Sequence, residues 1–218
     1  MNHEHHNRRY IVVEGPIGVG KTSLARRLAE SFGCELLLED AASNPFLERF
    51  YYNPRQAALP TQLFFLLQRA QQMQDLRQGD MFNPVRVADF LLEKDRLFAQ
   101  LTLDENELHL YEQLYERLAI DAPRPDLVVY LQAPVDVLRQ RISKRAIAAE
   151  LYMDADYLRR LADSYTRFFH DYTDAPLLIV NAAEIDPINN EDDYRQLFQR
   201  ILTVRSGRHY FNPMPIAL

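Results

Sequence analysis

The chain has 218 residues and a mass of 25.6 kDa, with 47% hydrophobic and 26% charged residues. It can bury a sizeable core and is too apolar to be disordered or collagen-like. Its 25 basic against 31 acidic residues give a net charge of −6, which disfavours a general nucleic-acid-binding surface.

The one cysteine, Cys34, excludes an internal disulfide and suits a cytoplasmic protein. No apolar run exceeds five residues, so neither a membrane span nor a signal segment is expected. Residues 1–9 (MNHEHHNRR), with His3, His5 and His6, read as a flexible leader. Residues 10–14 (YIVVE) read as a strand buried on both faces, followed by a glycine-rich turn and a helix that ends near Gly33. Further strands are expected at 35–38, 85–89, 126–131 and 177–181, and the longest helices at 60–78, 104–119, 154–172 and 190–204. This alternation predicts an α/β fold, a five-stranded parallel sheet flanked on both faces by helices in one domain over residues 10–218. In such sheets ligands bind beyond the carboxyl ends of the strands, so the residues after 14, 38 and 87 should converge on one crevice.

Gly15 to Ser23 reads GPIGVGKTS and fits G-x-x-x-x-G-K-[ST] between a strand and a helix. Gly15, Gly18 and Gly20 let backbone N–H groups turn toward phosphate oxygens at the positive end of the helix. Lys21 bridges the β- and γ-phosphates, and Thr22, next to Ser23, can ligate Mg²⁺. The motif predicts a three-layer fold of the P-loop NTPase type that binds ATP. There is no N-K-x-D guanine motif, and the strand VRVADF does not end in Asp-Glu. A GTPase switch and a motor ATPase are therefore disfavoured, and phosphoryl transfer to a small acceptor is left.

Glu39 follows the second strand and should face the phosphate cradle, where a carboxylate can accept the proton of an attacking hydroxyl. An acid in that place is also commonly a solvated turn or a cap. Gln62 and Arg69 are seven residues apart, hence two turns apart on one helix face beside Phe65. A planar base could lie against the aromatic residue while Gln62 reads its edge, or both polar groups could edge a buried face.

VEGPIGVGKTS, the acid of LLLED, NPFLERFYYNP, the Q-x6-R of TQLFFLLQR, DFLLEKDRLF and RQRISKRAIAAE, in that order, resemble the deoxynucleoside kinase family. The resemblance covers most of the chain. It implies that Glu39 is the general base for a sugar 5′-hydroxyl and that Gln62, Arg69 and Asp95 read the base edge. It further implies that Tyr51 and Glu150 hold the 3′-hydroxyl, that Asp89 is an acid near Mg²⁺, and that Arg141 and Arg145 belong to a lid over about 141–153. It also favours a homodimer. Where the family carries Glu-Arg-Ser, this chain has Asp89, Phe90 and Leu91. Either Arg86, Lys94 or Arg96 supplies the missing charge, or no charge is required.

Arg141 and Arg145, with Arg139 and Lys144, form a basic cluster in an acidic chain. Guanidinium groups closing over the γ-phosphate would neutralise charge and exclude water; a solvated face paired with Glu150 or Asp154 is the plainer alternative. The expected activity is transfer of the γ-phosphate of ATP to the 5′-hydroxyl of a deoxynucleoside, purine first and deoxycytidine behind. Rival readings are a nucleoside monophosphate kinase of the thymidylate type and a non-catalytic ATP-binding regulator.

Overall fold

The computed structural model describes residues 10–78, 86–118 and 122–212. The leader expected over 1–9 lies outside these residues, as do Val85 of the third expected strand and Ala119 of the second expected helix.

The strands are β1 (Tyr10–Glu14), β2 (Glu35–Leu37), β3 (Arg86–Ala88), β4 (Leu127–Gln132), β5 (Leu177–Asn181) and β6 (Arg208–Phe211). They form a single sheet in the order β2-β3-β1-β4-β5-β6, with every neighbouring pair parallel. The helices are α1 (Lys21–Phe32), α2 (Leu47–Tyr52), α3 (Pro54–Gln78), α4 (Lys94–Thr102), α5 (Glu105–Leu118), α6 (Val135–Arg145), α7 (Ala155–Asp171) and α8 (Glu191–Thr203). Short 3-10 turns occupy Ala41–Ser43 and Ala148–Tyr152.

Among the described residues the sheet has six strands rather than the five expected from sequence. The added strand, β6, is an edge strand whose residues alternate between exposed and half-buried. Only its parallel pairing with β5, from Leu177↔Arg208 to Val180↔Phe211, makes RHYF a strand. The helix expected from residue 60 begins already at Pro54 and runs through Pro60. A proline is favoured in the first turn, which made Pro60 resemble a start.

All five residues of β1 are buried, as are the first five of β4, consistent with a sheet covered on both faces. Against β4, the ring of Tyr130 stacks on Phe169 of α7 with centroids 4.2 Å apart. Burying one such side chain is worth about 1.5–3 kcal/mol. Tyr165, one turn earlier on α7, is also buried, but its hydroxyl turns toward Glu14 at the end of β1, 3.1 Å away. A core residue thereby reaches the carboxyl end of β1. Among the described residues, no helix is long and apolar enough to cross a membrane.

Candidate active site

The turn between β1 and α1 depends on glycine at two close approaches. At Gly15, φ is +152° and a Cβ would stand 2.5 Å from the Leu131 carbonyl oxygen; at Gly18, φ is +86° and a Cβ would meet the Leu138 carbonyl oxygen at 2.9 Å. Any side chain at either position would displace the loop from β4 or α6. Just past the loop, Lys21 and Thr22 open α1, where free backbone N–H groups create positive potential.

Asp89, immediately after β3, ties three segments together. One carboxylate oxygen accepts the Thr22 hydroxyl, and the other accepts the Glu39 backbone N–H at 2.8 Å. Glu39, beyond β2, is therefore fixed beside the start of α1, as its place in the sequence predicts. Its carboxylate accepts a hydrogen bond from the Arg69 guanidinium, and Lys94 Nζ lies 3.4 Å from its other oxygen. Burial would raise the Glu39 carboxyl, but the charges of Arg69, Lys94 and Lys21 outweigh it and hold the carboxyl at about 2. Lys21 is shifted the other way, lowered first by burial and then by the charge of Lys94.

Arg69 extends the network away from the phosphate cradle. Its Nη1 lies 2.8 Å from an oxygen of the fully buried Asp95, and its guanidinium sits 5.0 Å over the Phe65 ring. Burial alone would lower the guanidinium, yet Asp95 and Glu39 more than offset it, so Arg69 stays charged. Gln62, two turns earlier on α3, is buried and donates a long 3.4 Å hydrogen bond to the Thr102 hydroxyl.

A cavity of about 160 Å³ joins these groups, lined among others by Lys21, Thr22, Glu39, Gln62, Arg69 and Asp89. Phe65, Tyr51, Arg145 and Glu150 also line it, and Arg145 pairs with Glu150 at its mouth. Burial, with Tyr157 and Glu150 nearby, pushes the Tyr51 phenol up, so it remains a neutral donor. Asp95 does not line the cavity and acts on it through Arg69. Arg141 stands apart. Its guanidinium donates to the Val19 carbonyl at 3.0 Å and the Ala182 carbonyl at 2.7 Å, beside a second cavity of about 590 Å³ that Gly18, Gly20 and Ser23 also line.

One charged residue escaped the sequence reading. Glu14 is fully buried and accepts from the Gly15 N–H at 2.8 Å, the Leu91 N–H at 2.9 Å and the Tyr165 hydroxyl, with Lys94 Nζ 3.2 Å away. The signal was present: an acid closing the apolar run YIVV just before the glycine turn cannot stay buried without donors.

The deoxynucleoside kinase family model matches residues 11–205. The chain belongs to the deoxynucleoside kinase family. It is 32% identical over 197 residues to a deoxyguanosine kinase of Bacillus subtilis, a match covering 86% of this chain and 93% of the relative. A deoxyadenosine kinase of Lactobacillus acidophilus is 28% identical, covering 88% and 94%. Among solved structures, the deoxyadenosine kinase from M. mycoides with the products dCMP and dCDP bound superposes with a TM-score of 0.78 at 21% identity, over 89% of this chain and all of that one. This family member is an ATP-dependent phosphotransferase with the α/β, P-loop NTPase-like fold of its relatives.

Proposed function

We propose that the chain phosphorylates the 5′-hydroxyl of a purine deoxynucleoside, deoxyadenosine or deoxyguanosine, with the 160 Å³ cavity as acceptor site. One observation carries the reading: a loop-side lysine and threonine, a carboxylate and a base-sized polar-aromatic end meet in one cavity. Arg69 and Asp95 standing together look more like the purine and cytidine kinases than the thymidine type, and relatives named for deoxyguanosine and deoxyadenosine favour purines among these. Gln62 and Arg69 face the base edge and Phe65 its plane, while Tyr51 and Glu150 hold the 3′-hydroxyl. The lid over 141–153 and the unit 10–218 are part of the same reading.

The 5′-hydroxyl lies between Glu39 and the γ-phosphorus. Glu39 takes its proton as the oxygen attacks, and the bond from phosphorus to the bridging oxygen of ADP breaks. Lys21 stays on the β/γ oxygens and Arg145 closes from the lid, placing positive charge where it develops in the transition state. Arg141 braces the loop through Val19 and takes the donor side.

The Thr22 hydroxyl and the Asp89 carboxylate, already hydrogen-bonded to each other, are hard oxygen donors that fit Mg²⁺, which takes few protein ligands and completes its shell with phosphates and water. Bound there, it would neutralise β- and γ-phosphate charge. The half-exposed Leu67 of α3 and Leu110 of α5 suit a homodimer face, and the composition suits the cytoplasm.

Labelled ATP offered with a panel of nucleosides and nucleoside monophosphates should place label in dAMP and dGMP. Label in diphosphates would instead support a monophosphate kinase, and none at all a regulator. Glu39→Gln should lower kcat by roughly a thousandfold, within the range for general base catalysis, while ATP affinity changes little. Near-normal turnover in that variant would remove the base assignment.

A further inference from the structure

The transfer site lacks a cation on the residue after Asp89, and the structure shows why. Phe90 is fully buried in the main core, so its side chain belongs to the packing beneath the sheet rather than to the cavity. Of the three basic residues that could replace an arginine there, two are committed elsewhere. Arg86 lies at the start of β3 and donates to the Leu76 carbonyl at 2.8 Å and to Glu35 at 2.9 Å. Arg96 is on the outside of α4, paired with Glu112.

Lys94 differs from both. It opens α4, is only 2% exposed, and lines the same cavity as Lys21, Glu39 and Asp89. Its ammonium stands between two carboxylates, 3.2 Å from Glu14 and 3.4 Å from Glu39. Glu14 holds the other end of this arrangement in place, because Gly15, Leu91 and Tyr165 all donate to it. A lysine used only to neutralise Glu14 would not need to reach a second acid at the cavity wall.

We propose that Lys94 is the positioning residue of the transfer site: anchored by Glu14, its ammonium orients the Glu39 carboxylate and supplies the positive charge beside the acceptor hydroxyl. The proposal rests on Glu39 being the base. Arg69 also touches Glu39, but it is shared with Asp95 at the base end of the cavity. Lys94 is instead shared with Glu14, away from the base end. A charge held in place by Glu14 needs no reorganisation as charge develops in the transition state, so its contribution is expected in the transfer step more than in ground-state affinity.

Lys94→Met and Lys94→Arg in the full chain, measured beside Glu39→Gln, separate this role from a structural one. Steady-state kinetics with deoxyadenosine and deoxyguanosine, ATP binding by calorimetry and thermal melting are the readouts. Lys94→Met should lose on the order of a hundredfold in kcat, the lower range for removing one preorganised charge or donor, with nucleoside KM and ATP affinity within about threefold by the same uniform-binding criterion. Lys94→Arg should recover most of the lost kcat. Should the buried Glu14 left alone by Lys94→Met prevent folding, Glu14→Gln/Lys94→Met removes both charges together and should fold yet remain slow.

A folded Lys94→Met or double variant with wild-type kcat, while Glu39→Gln is inactive, would overturn the proposal. So would an arginine variant no faster than the methionine one, or a loss confined to melting temperature and KM. Normal turnover in Glu39→Gln would instead fell the base reading on which the role depends.

Discussion

Glu14, Glu39 and Glu93 are three partly or wholly buried carboxylates within a short distance of the strand ends, and their neighbours give them different tasks. Glu14 is ringed by donors and has no face toward the cavity, so it serves as an anchor. Glu39 keeps a face on the cavity and is held ionised by three cations. Glu93 precedes α4, and burial pushes its carboxyl up against a hydrogen bond from its own backbone, with the charges of Asp174 and Glu14 adding to the rise. The folded state therefore binds the Glu93 proton more tightly than the unfolded chain does. Its favourable contribution is complete below the ordinary value of 4.5 and is lost as pH rises through the higher folded value. Glu93→Gln, which stays neutral, should accordingly be more resistant to urea than wild type at pH 7.5, and the difference should vanish by pH 4. A variant less stable than wild type at pH 7.5 would show that the carboxylate has a compensating partner.

At the scale of elements, caps and pairing decide where the site's supports begin. α7 starts after Asp154, whose side chain accepts the Asp156 N–H at 3.1 Å, and it carries both Tyr157, on the cavity, and Tyr165, on Glu14. Asp154→Ala should cost about 1 kcal/mol, typical for a lost N-cap, and lower the melting temperature by roughly 2–4 °C for a chain of this size. Asp154→Asn should restore it, because the cap needs the oxygen rather than the charge; equal loss in both variants would point to electrostatics with the helix end instead. α7 was legible from its apolar spacing and this cap, and the turn before α1 from glycines whose backbone angles few other residues adopt. β6 was not, because RHYF becomes a strand only through backbone bonds to β5. Within the site, Glu39, Gln62 and Arg69 could be read from strand ends and helical spacing. Asp95, Tyr51 and Glu150 came only through family resemblance, since no local pattern links residues on α4, α2 and the turn at Ala148–Tyr152. Lys94 was one of three equivalent basic residues until its place on the cavity wall and the partners of the other two separated them.

For the molecule as a whole, a net charge of −6 is set against four cations, Lys21, Arg69, Lys94 and Arg145, around a single cavity. A triphosphate is attracted locally although the chain repels it at long range, so its binding should weaken with salt less than that of a generally basic protein. The cradle is also built into the fold at several points. Gly15 lies against the β4 backbone, Gly18 against α6, and Arg141 joins the loop to the segment after β5. Occupying it should therefore stabilise the whole sheet and not just one loop. For a ligand that binds only the folded state, a concentration a hundred times its dissociation constant adds about 2.7 kcal/mol. For a chain of this length that corresponds to a rise in melting temperature of roughly 5–10 °C. Thermal melts with saturating ATP·Mg²⁺ should show one transition moved upward by that amount. In Lys21→Ala the shift should shrink to under about 2 °C at the same ATP concentration, since the bridging charge on the β- and γ-phosphates is gone. An undiminished shift in Lys21→Ala would put the triphosphate somewhere other than the turn between β1 and α1. Two separated transitions would mean that the cradle and the rest of the sheet unfold independently.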